Sequence, residues 1–161
     1  MNLKFKDRKG NFHIKPSERD VCERISVYGI AKRNNKILLV KPVWKDEFEL
    51  PGGGVRKREA IHDGLKREFL EETGFSIKIL TDTPVKIKRE LFYADDIDKY
   101  YNSQLLFFLV EVVGNKTPEI VKEQEIKEIR WCGLNVLENR AINSLHSGVL
   151  KELVNYNSEE K

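Results

Sequence analysis

Three glutamates, Glu68, Glu71 and Glu72, follow one another at i, i+3 and i+4 behind a run of glycines, Gly52, Gly53 and Gly54. On an α-helix that spacing puts the three side chains on one face, within reach of a common point. Carboxylates at helical neighbour positions repel by about 0.2–0.5 kcal/mol per pair even when solvated, so such a knot demands a cation. Oxygen donors suit Mg²⁺, with Mn²⁺ as a substitute, and leave coordination positions open for water and phosphate oxygens. The glycines, placed just after the strand-stopping Pro51, let the backbone take positive φ and approach a ligand that any Cβ would block. Arg67 precedes Glu71 by four residues, the spacing of an intrahelical ion pair, and reads as an orienting group.

The segment from Gly53 to Phe75, GGVRKREAIHDGLKREFLEETGF, resembles the signature of the Nudix hydrolase family (MutT-like), G-x5-E-x7-R-E-U-x-E-E-x-G-U with U bulky and apolar. Gly53, Glu59, Arg67, Glu68, Glu71, Glu72 and Gly74 fall on the fixed positions, and Phe69 and Phe75 on the apolar ones. Two departures stand out: Phe69 replaces the usual aliphatic residue, and Gly64 sits where the family commonly has alanine. The resemblance implies that Glu68, Glu71 and Glu72 bind metal together with the Gly52 carbonyl, and that Glu68 is a candidate base. Glu59 and Gly53 then shape the loop and the helix start, with Gly53 and Gly54 against the substrate's phosphates. Family members often add a distant acid ahead of a late tryptophan-containing strand. Glu123, Glu125 and Glu128 occupy such a stretch before Trp131, and Glu125 is the preferred candidate. Trp44 and Tyr93 are candidates to stack on a base. Tyr93 lies near the distance at which diadenosine polyphosphate hydrolases resemble one another in having tyrosine, whereas the proline expected of ADP-ribose hydrolases is missing there.

Splitting a phosphoanhydride requires neutralised nonbridging oxygens, a water in line with phosphorus and a stabilised leaving phosphate. The implied activity is Mg²⁺-dependent hydrolysis of a nucleoside diphosphate linked to another moiety, with nucleoside triphosphates first. Dinucleoside polyphosphates, ADP-ribose and nucleotide sugars are the alternative substrates. A nucleotide-sensing or RNA-binding module without turnover is the competing class, disfavoured because a pure binding site has no use for three mutually repelling carboxylates.

The rest of the chain must position this helix. Its 161 residues, 40% hydrophobic and 34% charged with net charge +3, suit one domain. Residues 1–24 are rich in Lys and Arg and read as a basic arm or edge element, solvated and partly frayed, that could attract anionic substrates. Basic and aromatic residues are not interleaved there, which argues against nucleic acid. No apolar run reaches the roughly 18 residues of a membrane span. The start lacks a secretory pattern and the two cysteines, Cys22 and Cys132, lie far apart, so the expected setting is cytoplasmic with reduced thiols. The partner is a small nucleotide, and the protein is expected as a monomer or homodimer.

Residues 25–156 read as the Nudix domain and 157–161 as a disordered tail. A hairpin is predicted from Ile25 to Ala31 and Lys36 to Val40 across Asn34-Asn35, then a short strand over Glu47 to Leu50. The acid helix should run from about Arg58 or Glu59 to Thr73, stopped by Gly74, burying Ile61, Leu65 and Phe69, with Gly64 letting it lie close to the sheet. Strands follow at Ser76 to Leu80, Val85 to Tyr93, Ser103 to Val113 and Ile126 to Cys132. A final helix over about Arg140 to Val154, preceded by Asn139, carries the apolar stripe Ala141, Leu145, Val149 and Leu153. The order is similar to the Nudix α/β/α sandwich, with a mixed sheet, a central catalytic helix and a C-terminal helix.

Overall fold

The computed structural model describes residues 2–117, 121–135 and 141–159. Along the chain come β1 (Lys4–Lys6), β2 (Phe12–Ile14), β3 (Val21–Arg33), β4 (Lys36–Pro42), β5 (Gly52–Gly54), α1 (Ile61–Thr73), β6 (Ser76–Ile79), β7 (Lys86–Ala94), β8 (Lys99–Val113), β9 (Ile126–Gly133) and α2 (Ser144–Glu159). The strands order as β2-β1-β7-β8-β3-β4-β9, with β5 added to β3 and β6 to β8. The long parallel pair β3 and β8, in register from Val21 with Tyr100 to Ala31 with Val110, is the spine of this mixed sheet.

Side-chain alternation along β3 sorts the core into two layers. Val27 and Ala31 face α1, where they pack with Leu65, Phe69, Leu106 and Phe108. Ile30 faces α2, packing with Leu39, Phe107, Val149 and Leu150. Helices therefore cover both sides of the sheet, as the sequence leads one to expect. Leu65 and Phe69 are fully buried, and each such side chain contributes about 1.5–3 kcal/mol.

The close approach of α1 to the sheet depends on a different glycine from the expected one. A Cβ on Gly29 in β3 would stand 2.7 Å from the Phe69 ring, whereas Gly64 faces the Glu59 carboxylate and Val55. Gly64 thus makes room for the loop before the helix. That loop also shortens the helix: Arg58 has φ 66° and Ala60 is the N-cap, so α1 begins at Ile61. Glu59 is freed from the helix and accepts the Arg56 N–H at 2.8 Å. Gly74 ends α1 in the left-handed region, its N–H donating to the Leu70 carbonyl.

Three further segments differ from expectation. Glu47 to Leu50 forms only isolated bridges, Val40 with Glu49 and Phe48 with Ile142. Asn143 caps α2, its Oδ1 accepting from the N–H groups of Leu145 at 3.0 Å and His146 at 3.3 Å, so the helix starts at Ser144. Asn139, Arg140 and residues 160–161 of the expected tail lie outside the described residues. The basic arm pairs onto the sheet, Lys6 against Phe92 in parallel, because Phe5 is fully buried beside Tyr100. Asp7 is buried behind it and accepts from the N–H groups of Lys9 and Asn11, both at 2.9 Å, fixing the β1–β2 turn. Among the described residues no helix is long and apolar enough to cross a membrane.

Candidate active site

A cleft of about 290 Å³ opens where β5, α1 and the β1–β2 turn meet. Its lining includes an acidic wall of Gly52 to Gly54, Glu68, Glu72 and Glu49, and the cations Lys6, Arg8, Lys9 and Arg24, the last lying over Gly54.

Arg67 organises the acidic wall. Its guanidinium donates to Glu59 at 2.6 Å and 2.9 Å, to Glu68 Oε1 at 2.7 Å, to Glu71 Oε2 at 3.3 Å and to the Gly54 carbonyl at 3.1 Å. The hydrogen bond from Arg67 holds the Glu59 carboxyl down at about 2. One side chain thereby fixes the loop and two of the three helix acids.

The three acids share a helix face but turn to different partners. Glu72 Oε2 accepts the Gly52 N–H at 2.9 Å. Glu68 presses its carboxylate on Gly53, where a Cβ would stand 2.7 Å from Oε2. Glu71 Oε2 takes Lys122 Nζ at 2.8 Å, and Glu71 is not among the residues lining the cleft. Accordingly, among the described residues no three His, Cys, Asp or Glu side chains are gathered around one point that could hold a metal ion. The expected convergence is interrupted by the chain's own cations, Arg67 and Lys122.

Glu72 is the exception. No lysine or arginine among the described residues lies within ion-pair distance of it. Burial pushes it well above the ordinary carboxylate value; the Gly52 N–H opposes, and the charges of Glu49, Glu68 and Glu125 add to the rise. For Glu71, burial raises the carboxyl, but Lys122, Arg67 and Arg56 outweigh it and the net direction is down. A partly enclosed acid at the cleft floor, surrounded by three like charges and without a cation of its own, fits a divalent ion. The oxygen donor set, which the Gly52 carbonyl can extend, fits a hard one.

The glycines make room for the protein's own backbone and side chains. Of the three only Gly52 has positive φ, 155°, and a Cβ there would strike the Val27 carbonyl at 1.9 Å. Gly54 lies under the Arg24 guanidinium, with Nη2 2.7 Å from the position a Cβ would take.

Trp44 lines the cleft with the Arg8 guanidinium 5.5 Å over its ring. Tyr93 does not line it: its ring stacks on Tyr100 at 4.6 Å and its hydroxyl donates to Asp98 at 3.0 Å. Alternation along β7 explains the difference, since the neighbouring Phe92 points into the cleft, 5.7 Å from Arg24. Glu125 is exposed on the rim, 3.9 Å from Lys122 Nζ. Sequence reasoning missed Lys122, Glu49 and Phe92, and had Arg24 only as part of the basic arm that could attract anionic substrates. Only Phe92 had a local signal, its strand alternation; the others reach the site through long-range pairing.

The fold and these positions meet known proteins. The NUDIX domain family model matches residues 23–153. An ADP-ribose pyrophosphatase of Methanocaldococcus jannaschii is 30% identical over 135 residues, covering 82% of this chain and 73% of that protein. A NUDIX hydrolase from Nitrosomonas europaea shares the fold with TM-score 0.65 at 19% identity, covering 86% of this chain and 91% of that one. A MutT protein from Methanosarcina mazei Go1 does so with TM-score 0.61 at 21% identity, covering 86% and 97%. A match across nearly the whole chain, on a fold that presents the signature helix to a cleft, places this protein in the Nudix family as a pyrophosphohydrolase.

Proposed function

We propose that this enzyme splits the phosphoanhydride bond of a nucleoside diphosphate linked to another group, using Mg²⁺, or Mn²⁺ in its place, held by Glu68, Glu71, Glu72 and the Gly52 carbonyl. The observation that carries the reading is Glu72, which lines the cleft, accepts the Gly52 N–H at 2.9 Å and has no lysine or arginine at ion-pair distance among the described residues. Bound there, the ion supplies charge neutralisation for nonbridging phosphate oxygens and a more acidic water.

The chain's own residues do the positioning. Arg67 holds Glu68 and Glu71 in place, and Lys122 Nζ, 2.8 Å from Glu71, would have to give way for Glu71 to hold the ion. Glu125, on the rim and only loosely paired, accepts the proton of the attacking water at its carboxylate as oxygen bonds to phosphorus. Glu68 is the other carboxylate in position for that role. The bridging P–O bond breaks and its electron pair leaves with the departing phosphate, which Arg24 and the cations of the β1–β2 turn stabilise.

Trp44 and Phe92 offer ring faces to a base. The relative named an ADP-ribose pyrophosphatase moves ADP-ribose ahead of nucleoside triphosphates as first candidate. Dinucleoside polyphosphates and nucleotide sugars complete the substrate set. Incubation of each with the protein and Mg²⁺, followed by chromatography, tests the reading. ADP-ribose should yield AMP and ribose 5-phosphate; an intact panel would refute the proposal.

A further inference from the structure

Tyr28, Leu105, Leu145 and His146 line the cleft together and give it rings and aliphatic groups among its charged residues. His146 is 3% exposed, and it lines the cleft. Its Nδ1 accepts the Leu50 N–H at 3.0 Å. A ring nitrogen that accepts carries no proton, so in the neutral ring the proton is on Nε2. Burial, with the charge of Lys45 second, holds the imidazole down at about 3, which keeps that neutral form at working pH. The rings of Tyr28, at 4.5 Å, and Phe107, at 5.6 Å, meet it edge-on and fix its plane. Among the described residues no group accepts from Nε2. Nε2 is not closed off by protein, so this donor, fixed in tautomer and facing a cleft its residue lines, is open to an acceptor atom of a ligand.

We propose that His146 is a specificity-determining residue, donating its Nε2–H to an oxygen or nitrogen acceptor on the part of the substrate beyond the diphosphate. The inference rests on the reading of the cleft as a site for nucleoside diphosphates. The ring and aliphatic groups of Tyr28, Leu105 and Leu145 suit a heterocycle or sugar edge, whereas a phosphate belongs with the helix acids' ion and the cations Lys6, Arg8, Lys9 and Arg24. The Leu50 bond sets the tautomer that makes His146 a donor, and Leu50 stands two residues ahead of Gly52, whose N–H holds Glu72. Recognition of the organic half and placement of the helix acids thus share one short stretch of backbone.

The test is calorimetric binding of the non-cleavable α,β-methylene analogues of ADP and UDP, with methylenediphosphonate as the diphosphate control, all in Mg²⁺. In His146→Asn, Oδ1 replaces Nδ1 toward Leu50 while the shorter side chain's amide N–H stops short of the Nε2 position. In His146→Gln the donor is kept and the Leu50 contact is lost. Loss of the donor should weaken the better-bound nucleotide analogue about 5–30-fold and leave methylenediphosphonate within about twofold. His146→Gln should recover most of that affinity, and in the wild type the imidazole Nε2–H resonance should shift on adding the analogue. Nucleotide binding by His146→Asn equal to wild type overturns the inference. So does an equal loss for methylenediphosphonate, or a wild type that binds nucleotides no more tightly than methylenediphosphonate. Failure of the hydrolase reading would appear separately, as absent turnover with this binding difference intact.

Discussion

Glu72 of the signature helix accepts the N–H of Gly52 at 2.9 Å, so the second acid of the Glu-Glu pair is bonded to the glycine loop twenty residues before it. That bond joins the two halves of the motif: the loop proposed to meet phosphate is held by a carboxylate proposed to meet the metal. It is also the only hydrogen bond to the Glu72 side chain among the described residues, which leaves its charge to be balanced by something bound.

Mg²⁺ should therefore raise the melting temperature of the wild type, since an ion that binds only the folded state stabilises by about 2.7 kcal/mol at one hundred times its Kd. Glu72→Gln should lose most of this protection while folding normally in chelator. Equal protection by Mg²⁺ in both proteins, followed by scanning calorimetry, would count against Glu72 as a ligand.

Arg67→Ala removes the group that holds Glu59, Glu68 and Glu71. Groups that orient metal-holding side chains typically contribute 10–100-fold, so kcat/KM should fall by about that factor, and Arg67→Lys should recover little because the forked contacts need a planar guanidinium. Steady-state kinetics with the best substrate provide the measurement.

Lys122 competes for Glu71, to which it binds at 2.8 Å. The pair is partly exposed, with Lys122 at 36% and Glu71 at 20%, and is worth about 0–1 kcal/mol after solvent screening. Lys122→Ala should bind Mg²⁺ up to about fivefold more tightly in calorimetric titration. Weaker binding would mean that Lys122 supports the site rather than blocking it.

His146 gives stability a sign with pH. Unfolded, it takes a proton near its ordinary value of 6.5; folded, it stays neutral down to about 3. Its contribution is present above pH 6.5 and is lost as pH falls from there toward 3, by at most about 1.4 kcal/mol per pH unit. Urea unfolding between pH 7 and pH 5, above the window in which Glu59 titrates, should show this loss in the wild type and a flatter profile in His146→Asn.

Gly29→Ala places a Cβ 2.7 Å from the fully buried Phe69 ring and 3.2 Å from Val110. The ring has nowhere to move, so the substitution should cost about 1–3 kcal/mol in urea unfolding. Gly64→Ala meets the Glu59 carboxylate at 3.1 Å and Val55 at 3.3 Å. It should mainly disturb the Glu59–Arg67 pair, and so activity more than stability.

Local patterns made much of this legible. The i, i+3, i+4 acids, the Gly74 stop and the alternating strands each follow from a few neighbouring residues, and each is where the spacing puts it. Errors arose where tertiary contacts override local preference. Arg58 leaves helical geometry so that Glu59 can reach Arg67, and Asn143 caps α2 within a segment whose periodicity suggested an earlier start. Gly29 could not be read as the packing glycine because its partner, Phe69, lies forty residues away. The basic arm was legible as a run of charge, but its place was not: Lys6, Arg8 and Arg24 meet at the cleft only after β1 pairs with β7 and β3 with β8. Tyr93 and Phe92 differ by one residue, and strand alternation sends them to opposite faces.

The most direct test of the central claim is product analysis of ADP-ribose and the wider nucleotide panel after incubation with Mg²⁺, comparing the wild type with Glu72→Gln. Hydrolysis to a nucleoside monophosphate and a second phosphorylated product should depend on Mg²⁺ and fall at least about hundredfold in the variant. Equal turnover by the two proteins, or turnover that survives a chelator, would contradict the account.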